Sequence, residues 1–500
     1  MAGYKPTIGL EIHCELNTLS KMFCDCPNEP NVPEPNSNIC AICTGQPGTM
    51  PAANIEAIKL VLKTGIALGS DILPRSKFDR KNYFYPDLPK GYQISQYDLP
   101  LCAGGRLELD GNETKTSVRI RRVHLEEDTA RLVHPDGADY SLVDFNRSGV
   151  PLMELVTEPD IASARDARAF AEELQLILRY LNVSDADMER GRMRVEVNIS
   201  LAGETDSKNG KFGTKVEIKN LNSLRAVENA VAYEIERQTG LLAVGKAVVL
   251  ETRGWNETKK ATVSQREKEE AFDYRYFPEP DLTEFAIDSE MIERVRATVA
   301  EMPSNRRARF MAEYGLDAGI AEIFIKNKEL AGYYEEAMSE LANWIKEEEV
   351  KDDIAPAELK KLAKICANYL LSDLIGMLDG KTFRRDAISV TPENFAEFVT
   401  LLYAEEMSSK IAKIVLEEMF TTGKDPSQII EDKGLVQINE PDALEAIAKK
   451  IVSENEKAVA DYKKGKENAL QFLVGKLLSE TKGKANPQMA RLCIKKAIEG

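Results

Sequence analysis

The sequence predicts an α+β protein, with a β-rich region over about the first 290 residues and helices after it. Residues 8–16 and 195–201 alternate apolar and polar side chains, which is the period of strands with one buried face. From residue 291 onwards, apolar residues recur instead at the spacing of amphipathic helices. A chain of 500 residues is also too long for one compact domain.

Helices and a linker complete the expected organisation. Helical patterns interrupt the β-rich region at 54–68 and 163–181. Further helices are predicted at 291–301, 304–314, 321–339, 356–378, 392–403 and 408–420. The segment TTGKDP (421–426) has the composition of a linker. We therefore expect three domains, at 1–290, 291–424 and 425–500, of which the last two are all-α.

Composition and charge exclude several classes of protein. Hydrophobic residues make up 43% of the chain and charged residues 30%, which excludes a disordered or collagen-like chain. No run of about 18 apolar residues and no secretory signal is visible, so we expect a cytoplasmic protein. The net charge of −16 argues against a non-specific nucleic-acid binder. Residues 461–500 differ, because nine Lys/Arg face four Asp/Glu there, a net of +5.

Four of the eight cysteines lie within 20 residues of one another, in the pattern C-x-C-x13-C-x2-C. They are Cys24, Cys26, Cys40 and Cys43. Two close pairs of thiols separated by a loop are typical of a tetrahedral zinc site, and a closed site with four Cys ligands is structural. The alternative is four unrelated thiols.

A second candidate site combines carboxylates and histidines. Glu11 and His13 are two residues apart on a predicted strand, so both side chains point to the same face. The run HLEED (124–128) supplies further carboxylates, and Mg²⁺ prefers oxygen ligands. The alternative, which spacing alone favours, is a solvated acidic turn and a hydrogen-bonded surface histidine.

Residues 75–97 interleave basic and aromatic side chains. Cations bind phosphate and aromatic rings stack on unpaired bases, so this stretch suits a single-stranded RNA end. An ordinary loop whose aromatic residues fill a local core is equally consistent with the composition. The chain has no Walker A sequence, no Rossmann fingerprint and no amidase signature, so any use of ATP requires a different kind of site.

Together, several segments resemble the B-subunit family of aspartyl/glutamyl-tRNA amidotransferases. The matching motifs lie at 8–16, 34–38, 77–98, 124–128, 141–160, 212–223 and 273–282, and shorter ones extend to the C-terminus. The resemblance implies a cradle-shaped catalytic domain built on β-sheet, then a helical domain, then a small helical tail that contacts the tRNA body.

The resemblance also implies an activity. Members use ATP and Mg²⁺ to phosphorylate the side-chain carboxylate of Glu-tRNA(Gln) or Asp-tRNA(Asn). Ammonia from a partner amidase, the A subunit, then displaces the phosphate, and a small C subunit completes a heterotrimer. A carboxylate needs this activation because its unmodified leaving group would be oxide.

Site residues follow from matching positions in the family. The implied Mg²⁺ ligands and catalytic residues are Glu11, His13, Glu127 and Glu154. The candidates near the tRNA 3′ end are Lys81, Tyr83, Tyr85, Asp87, Lys90 and Gln93. Residues expected to approach ATP or RNA are Lys215, Glu217 and Asn220. The basic residues expected to meet the tRNA body are Lys463, Lys464, Lys466, Lys482 and Lys484.

The chain departs from the family pattern at two places, where Arg190 replaces a Glu and where Val195 and Glu196 follow Arg194. Arg for Glu reverses a charge, so local contacts there cannot be transferred from the family. A second hypothesis is a non-catalytic scaffold that presents tRNA to other proteins of the assembly. A scaffold would not need the metal site around Glu11.

Overall fold

The structure is a computed structural model that describes residues 3–109, 116–203, 205–206, 209–267, 274–349, 356–404, 406–435, 441–481, 485 and 487–499. The chain forms two compact units, Met1–Met302 and Pro303–Gly500. Within the described ranges, no helix is both long and apolar enough to cross a membrane.

Among the residues that the structure describes, the first unit contains the strands and four α-helices of eight residues or more. The strands are β1 (Tyr4–Glu15), β2 (Asp71–Ile72), β3 (Arg75–Ser76), β4 (Asp79–Asn82), β5 (Tyr92–Ser95), β6 (Cys102–Ala103), β7 (Arg106–Leu109), β8 (Thr116–Glu127), β9 (Arg131–Val133), β10 (Leu142–Asp144), β11 (Pro151–Thr157), β12 (Met193–Gly203), β13 (Val216–Leu221), β14 (Glu251–Asn256), β15 (Ala261–Glu267), β16 (Phe277–Pro278) and β17 (Phe285–Ala286). The helices are α1 (Ile55–Ala67), α2 (Ala164–Tyr180), α3 (Leu224–Ala243) and α4 (Ser289–Arg296).

One ten-stranded sheet organises this unit. Its order is β15-β14-β13-β12-β1-β11-β8-β6-β2, and β7 pairs with β8 beside this path. The pairs are antiparallel except for β13 with β14. The long strand β1 therefore lies between β11 and β12, at the centre of the sheet.

Helices cover one face of the sheet and leave the other for polar groups. Asn54, Ser163 and Ser223 cap α1, α2 and α3 by accepting hydrogen bonds from the first turns. These helices contact β8, β7 and β12 respectively. The apolar residues of β1 and β12 join them in one core. Because side chains alternate along a strand, the polar residues of the same strands gather on the opposite face.

The second unit is helical. Its helices are α5 (Pro303–Glu313), α6 (Ala318–Lys326), α7 (Lys328–Glu349), α8 (Pro356–Asn368), α9 (Pro392–Tyr403), α10 (Ser409–Thr422), α11 (Pro426–Asp432), α12 (Pro441–Glu454), α13 (Glu456–Lys463), α14 (Glu467–Glu480) and α15 (Pro487–Glu499). They form two hydrophobic clusters, one from Phe310 to Ile429 and one from Leu444 to Ile498. Helix α11 packs into the first cluster, although the expected tail begins at residue 425. The division into three domains stays a prediction.

The α+β class is confirmed, and most predicted elements are present. The helix predicted over 321–339 is wrong, because the segment forms two helices that meet at Asn327. The backbone of Asn327 is extended and its side chain accepts a hydrogen bond from Leu330 N, which starts a new helix. The helix predicted over 356–378 ends at Asn368, where a π-helical turn follows.

Candidate functional site

A row of polar side chains crosses three central strands on the face that the helices leave open. His13 of β1 lies directly opposite Glu154 of β11, and Glu154 lies opposite His124 of β8. Glu11 lies two residues before His13 on the same face, and Glu126 lies two residues after His124. Strand pairing thus brings together residues that are distant in sequence.

Glu154 is the central group of this cluster. Its Oε2 atom lies 3.3 Å from His13 Nε2 and 3.6 Å from His124 Nε2. Glu126 also reaches both imidazoles, at 3.5 Å from His13 and 3.8 Å from His124. Glu11 Oε1 is 4.0 Å from His13 Nε2. Three carboxylates therefore surround two imidazoles.

The ligand atoms are close enough to share a cation. Glu11, His13 and Glu154 form one group whose ligand atoms all lie within 4.8 Å of one another, and His124, Glu126 and Glu154 form a second. In addition, the buried Nδ1 atom of His124 has no hydrogen-bond partner among the described residues. A dense set of carboxylate oxygens with imidazole nitrogens fits a divalent cation.

The carboxylates hold His13 in its charged form. Burial would lower the pKa of His13, but the hydrogen bond and charge of Glu154 and the charges of Glu126 and Glu11 raise it to about 9. Burial and the negative charge of Glu154 raise the pKa of Glu11 to about 7. Burial opposes ionisation of Glu154, yet the adjacent histidines and Lys81 hold its pKa well below the usual range.

The cluster lies in a cavity of about 470 Å³, which we call the polar cavity. Other lining residues include Lys81, Tyr83, Gln93, Arg122, Asp128, Thr129, Leu152, Arg194, Glu196, Lys215, Glu217, Lys219, Tyr274 and Tyr276. Lys81 is half-buried, and the charges of Glu126 and Glu154 outweigh the cost of that burial and raise the pKa of its ammonium group. The cavity therefore combines carboxylates with cations.

The four clustered cysteines converge as predicted. The thiol sulfurs of Cys24, Cys26, Cys40 and Cys43 all lie within 4.8 Å of one another, so they are not unrelated thiols. Hydrogen bonding from Cys24 lowers the pKa of Cys43 to about 5. The backbone N–H of Cys40 also donates to Cys43 Sγ at 3.1 Å. This arrangement fits a tetrahedral metal with four thiolate ligands.

Comparison with known proteins places this geometry in a family. Residues 6–293 match the family model of the GatB/GatE catalytic domain, and residues 355–498 match the GatB domain. The B subunit of the aspartyl/glutamyl-tRNA(Asn/Gln) amidotransferase of Thermotoga maritima is 47% identical over 501 residues, covering 99% of both chains. The proteins of the same name from Carboxydothermus hydrogenoformans and Brevibacillus brevis are each 44% identical to this chain. The alignment with the Carboxydothermus protein covers 98% of this chain and 97% of that protein. The alignment with the Brevibacillus protein covers 100% of this chain and 99% of that protein. The chain belongs to the amidotransferase B-subunit family.

The structure places one residue of the ligand set that the family resemblance implied outside the polar cavity. Glu127 does not face the polar cavity, because it neighbours Glu126 on β8 and adjacent side chains point to opposite faces. Glu127 instead pairs with Lys90 at 2.6 Å and accepts a hydrogen bond from Ile94 N. The carboxylate that β8 contributes to the cluster is Glu126. The polar residues of the HLEED run, at positions 124 and 126–128, are all buried. The interpretation of this run as a solvated acidic turn is therefore wrong.

The basic and aromatic stretch divides between several locations. Lys81, Tyr83 and Gln93 line the polar cavity. Lys90 lines a separate cavity of about 210 Å³ beside Cys24 and Cys43. Tyr85 and Asp87 are not among the residues lining the polar cavity. The side chain of Asp87 accepts a hydrogen bond from Thr129 Oγ1, and Tyr85 is exposed.

Strand β13 and the residue before it contribute two predicted residues and one that the sequence analysis missed. Lys215 and Glu217 line the polar cavity, as does Lys219. Lys219 Nζ lies 2.8 Å from Glu196 and 3.5 Å from Glu217. Asn220 is exposed at the end of the strand in a left-handed conformation and is not a lining residue. Residues two apart on a strand point to the same face, so counting by two from Lys215 and Glu217 could have identified Lys219.

Other lining residues carried only a weak signal. Tyr274 and Tyr276 come from a segment quoted only for its family motif, and Arg122 precedes HLEED on β8. Of the two departures from the family pattern, Glu196 lies opposite Glu11 in the cavity, whereas Val195 is in the core. Arg190 is exposed outside the polar cavity.

The basic tail is partly visible. Lys463, Lys464 and Lys466 are exposed around the turn that follows α13. Lys466 pairs with Asp461 at 3.1 Å. The predicted residues Lys482 and Lys484 lie outside the described residues.

Proposed function

We propose that this chain is the carboxylate-activating component of a tRNA-dependent amidotransferase. It phosphorylates the side chain of Glu-tRNA(Gln) or Asp-tRNA(Asn) with ATP, and ammonia converts the product to Gln-tRNA(Gln) or Asn-tRNA(Asn). The overall enzyme is a glutamine-hydrolysing ligase that works in the cytoplasm. The observation that carries the proposal is the carboxylate–imidazole cluster around Glu154 inside a cavity that also contains lysines and arginines.

The cluster would hold Mg²⁺ through Glu11, His13 and Glu154, with Glu126 and His124 beside them. Mg²⁺ would supply charge neutralisation at the phosphates, which is the main demand of phosphoryl transfer. The excess of carboxylate charge that raises the pKa of His13 is charge that a cation would neutralise, and His13 would act as a ligand after losing its proton.

The cations of the cavity suit the binding of phosphate and carboxylate. Arg194 donates to the buried carboxylate of Asp128 at 3.0 Å, which fixes the direction of its guanidinium group. Arg122 approaches Glu154 at 3.5 Å from the other side of the cluster. Lys81 lies over the ring of Tyr274, with Nζ 5.2 Å from its centroid. Cations held in place by neighbours are ready to stabilise charge without rearrangement.

In the proposed reaction, a side-chain carboxylate oxygen attacks the γ-phosphorus of ATP and ADP leaves. An acyl phosphate forms, and ammonia attacks its carbonyl carbon with loss of inorganic phosphate and a proton. Ammonia comes from the amidase, or A, subunit, in agreement with the lack of an amidase signature in this sequence. The small C subunit completes the heterotrimer. The four-cysteine cluster would hold a structural Zn²⁺.

The experiment that tests this function measures ADP formation by the heterotrimer without an ammonia source. We expect ADP to form with Glu-tRNA(Gln) or Asp-tRNA(Asn) and not with the same tRNA after deacylation. A Glu126→Gln variant should lose this ADP formation and keep its affinity for tRNA. If no ADP forms while tRNA still binds, the scaffold hypothesis is favoured. If ADP forms equally without the amino acid, ATP is not used to activate the side-chain carboxylate and the proposal is wrong.

A further inference from the structure

A second large cavity lies next to the polar cavity. It has a volume of about 630 Å³ and we call it the arginine pocket, after Arg131, Arg147 and Arg190 in its lining. These three cations outnumber the two carboxylates of the same lining, which belong to Glu15 and Glu189. Guanidinium groups bind phosphate oxygens in a fork geometry, so the chemistry of the pocket suits a phosphate group.

The arginine pocket and the polar cavity lie along the same face of the sheet. Glu15 of the pocket and His13 of the polar cavity are two residues apart on β1, a separation of about 7 Å on one face. The buried Asp128 joins the two spaces, because it accepts from Arg194 of the polar cavity and lies 3.3 Å from Arg147 of the pocket. A ligand in one space is therefore close to a ligand in the other.

Arg147 is held rigidly at the inner wall of the pocket. Its Nε donates to Thr129 O at 3.1 Å and its Nη2 donates to Ala130 O at 3.3 Å. Within the described part of the chain, no group accepts a hydrogen bond from Nη1 of Arg147. A fixed guanidinium with unused donors is preorganised for an anion.

The other two arginines are accessible from solvent. Arg131 is exposed and has no ion-pair partner among the residues that the structure describes. Arg190 is also exposed, and its nearest carboxylate, Asp187, lies 3.5 Å away. The exposed amides of Asn31 and Asn222 line the same pocket and can donate to ribose or base. This open, mixed surface suits a segment of a polymer better than an enclosed nucleotide.

We propose that the arginine pocket binds a backbone phosphate of the aminoacylated RNA, next to the ribose that carries the amino acid. The inference rests on the proposed function, because the amino acid must reach the cluster around Glu154. When the amino acid occupies the polar cavity, the phosphates nearest to its esterified ribose lie within reach of the adjoining arginine pocket. Arg131 and Arg190 contact the phosphate from the solvent side and Arg147 from the wall.

The test uses the full heterotrimer with Arg131→Gln and Arg190→Gln. Both side chains are exposed, so the variants should fold, and Arg106→Gln serves as a control because Arg106 is exposed outside both cavities. We expect each pocket variant to raise the KM for aminoacyl-tRNA about five- to tenfold, with little change in kcat or in the KM for ATP. The slope of log affinity for tRNA against log salt should fall by about 0.7 for each lost contact with a single strand.

Three outcomes would overturn the proposal. An increase confined to the KM for ATP would assign the pocket to the phosphates of the nucleotide. An unchanged salt slope, equal to that of Arg106→Gln, would show that no RNA phosphate is bound there. A fall in kcat alone would indicate a structural effect on the cluster. The salt slope needs only tRNA binding, so it decides the inference even if the wild type forms no ADP and the proposed function fails.

Discussion

Glu154 Oε2 and His13 Nε2 lie 3.3 Å apart where β11 and β1 pair at the centre of the sheet. This contact joins the carboxylate that is shared by both candidate ligand groups to a histidine of the first strand. A buried carboxylate is costly unless it is paired. Both ends of the pair are therefore fixed by the sheet, and the geometry of a cation site follows from strand register.

The position of Glu126 predicts that it contributes to metal binding and that its neighbour Glu127 does not. Glu126→Gln should weaken binding of Mn²⁺, used as a probe for Mg²⁺, by at least about tenfold, because Glu126 faces the cluster. Glu127→Gln should change Mn²⁺ affinity by less than about twofold, since Glu127 pairs with Lys90 on the other face. Titration calorimetry measures both, and a larger loss in Glu127→Gln would contradict the assignment.

The cysteine cluster predicts a stoichiometric metal. We expect about one Zn²⁺ per chain by elemental analysis, since four sulfurs lie within 4.8 Å of one another. Cys26→Ala should lose the metal and unfold at a lower temperature, because a structural site contributes folding free energy. Cys493→Ala is the matched control, because Cys493 belongs to the hydrophobic cluster from Leu444 to Ile498 and not to the four-cysteine cluster. Equal zinc content in both variants would rule out the site.

A buried glutamate in the helical unit predicts a pH-dependent stability. Burial and the nearby charge of Asp425 raise the pKa of Glu397 to about 7, although Ser427 donates a hydrogen bond to its carboxylate. Because the protonated acid is favoured in the folded state, its contribution is full below the unfolded pKa of about 4.5 and is lost as pH rises to 7.

Glu397→Gln removes this titration. We expect the variant to be more stable than the wild type at pH 8, and the difference to shrink or vanish at pH 5. Urea unfolding at the two pH values gives the comparison. A difference in the free energy of unfolding that does not depend on pH would mean that Glu397 ionises normally in the folded protein.

The exposed lysines after α13 predict a salt-dependent contribution to tRNA binding. Replacing Lys463 and Lys464 together by Gln should weaken binding and lower the log–log salt slope by up to about 1.8, the value for two contacts with duplex phosphates. Lys246→Gln, an exposed lysine of the first unit, is the control. Filter binding at several salt concentrations measures the slopes, and identical slopes would remove these lysines from the tRNA surface.

Periodicity was sufficient to predict the fold class and the central strand. The alternation around Glu11 and His13 placed both on one polar face, and the structure confirms this. Helices capped by Asn54, Ser163 and Thr391 also begin where the pattern predicts. Asn327 was missed because a cap inside a continuous helical pattern leaves the apolar spacing almost unchanged.

The site was harder to predict because it depends on strand order. Nothing local in the sequence pairs Glu154 with His13, since their contact requires β11 to lie beside β1. The choice between Glu126 and Glu127 depends on which face of β8 meets the cavity, and a run of acidic residues does not reveal it. Counting by two from His124 would have favoured Glu126.

The most direct test of the central claim is ammonia-dependent amidation of Glu-tRNA(Gln) by the heterotrimer, with ATP, Mg²⁺ and ammonium salt in place of glutamine. Free ammonium bypasses the amidase step, so the assay reports on this chain. Glu11→Ala is compared with wild type and with Glu158→Gln, a surface carboxylate that pairs with Arg121. We predict that wild type and Glu158→Gln form Gln-tRNA(Gln) and that Glu11→Ala forms none while still binding tRNA. Equal conversion by Glu11→Ala would contradict the account and place the chemistry elsewhere.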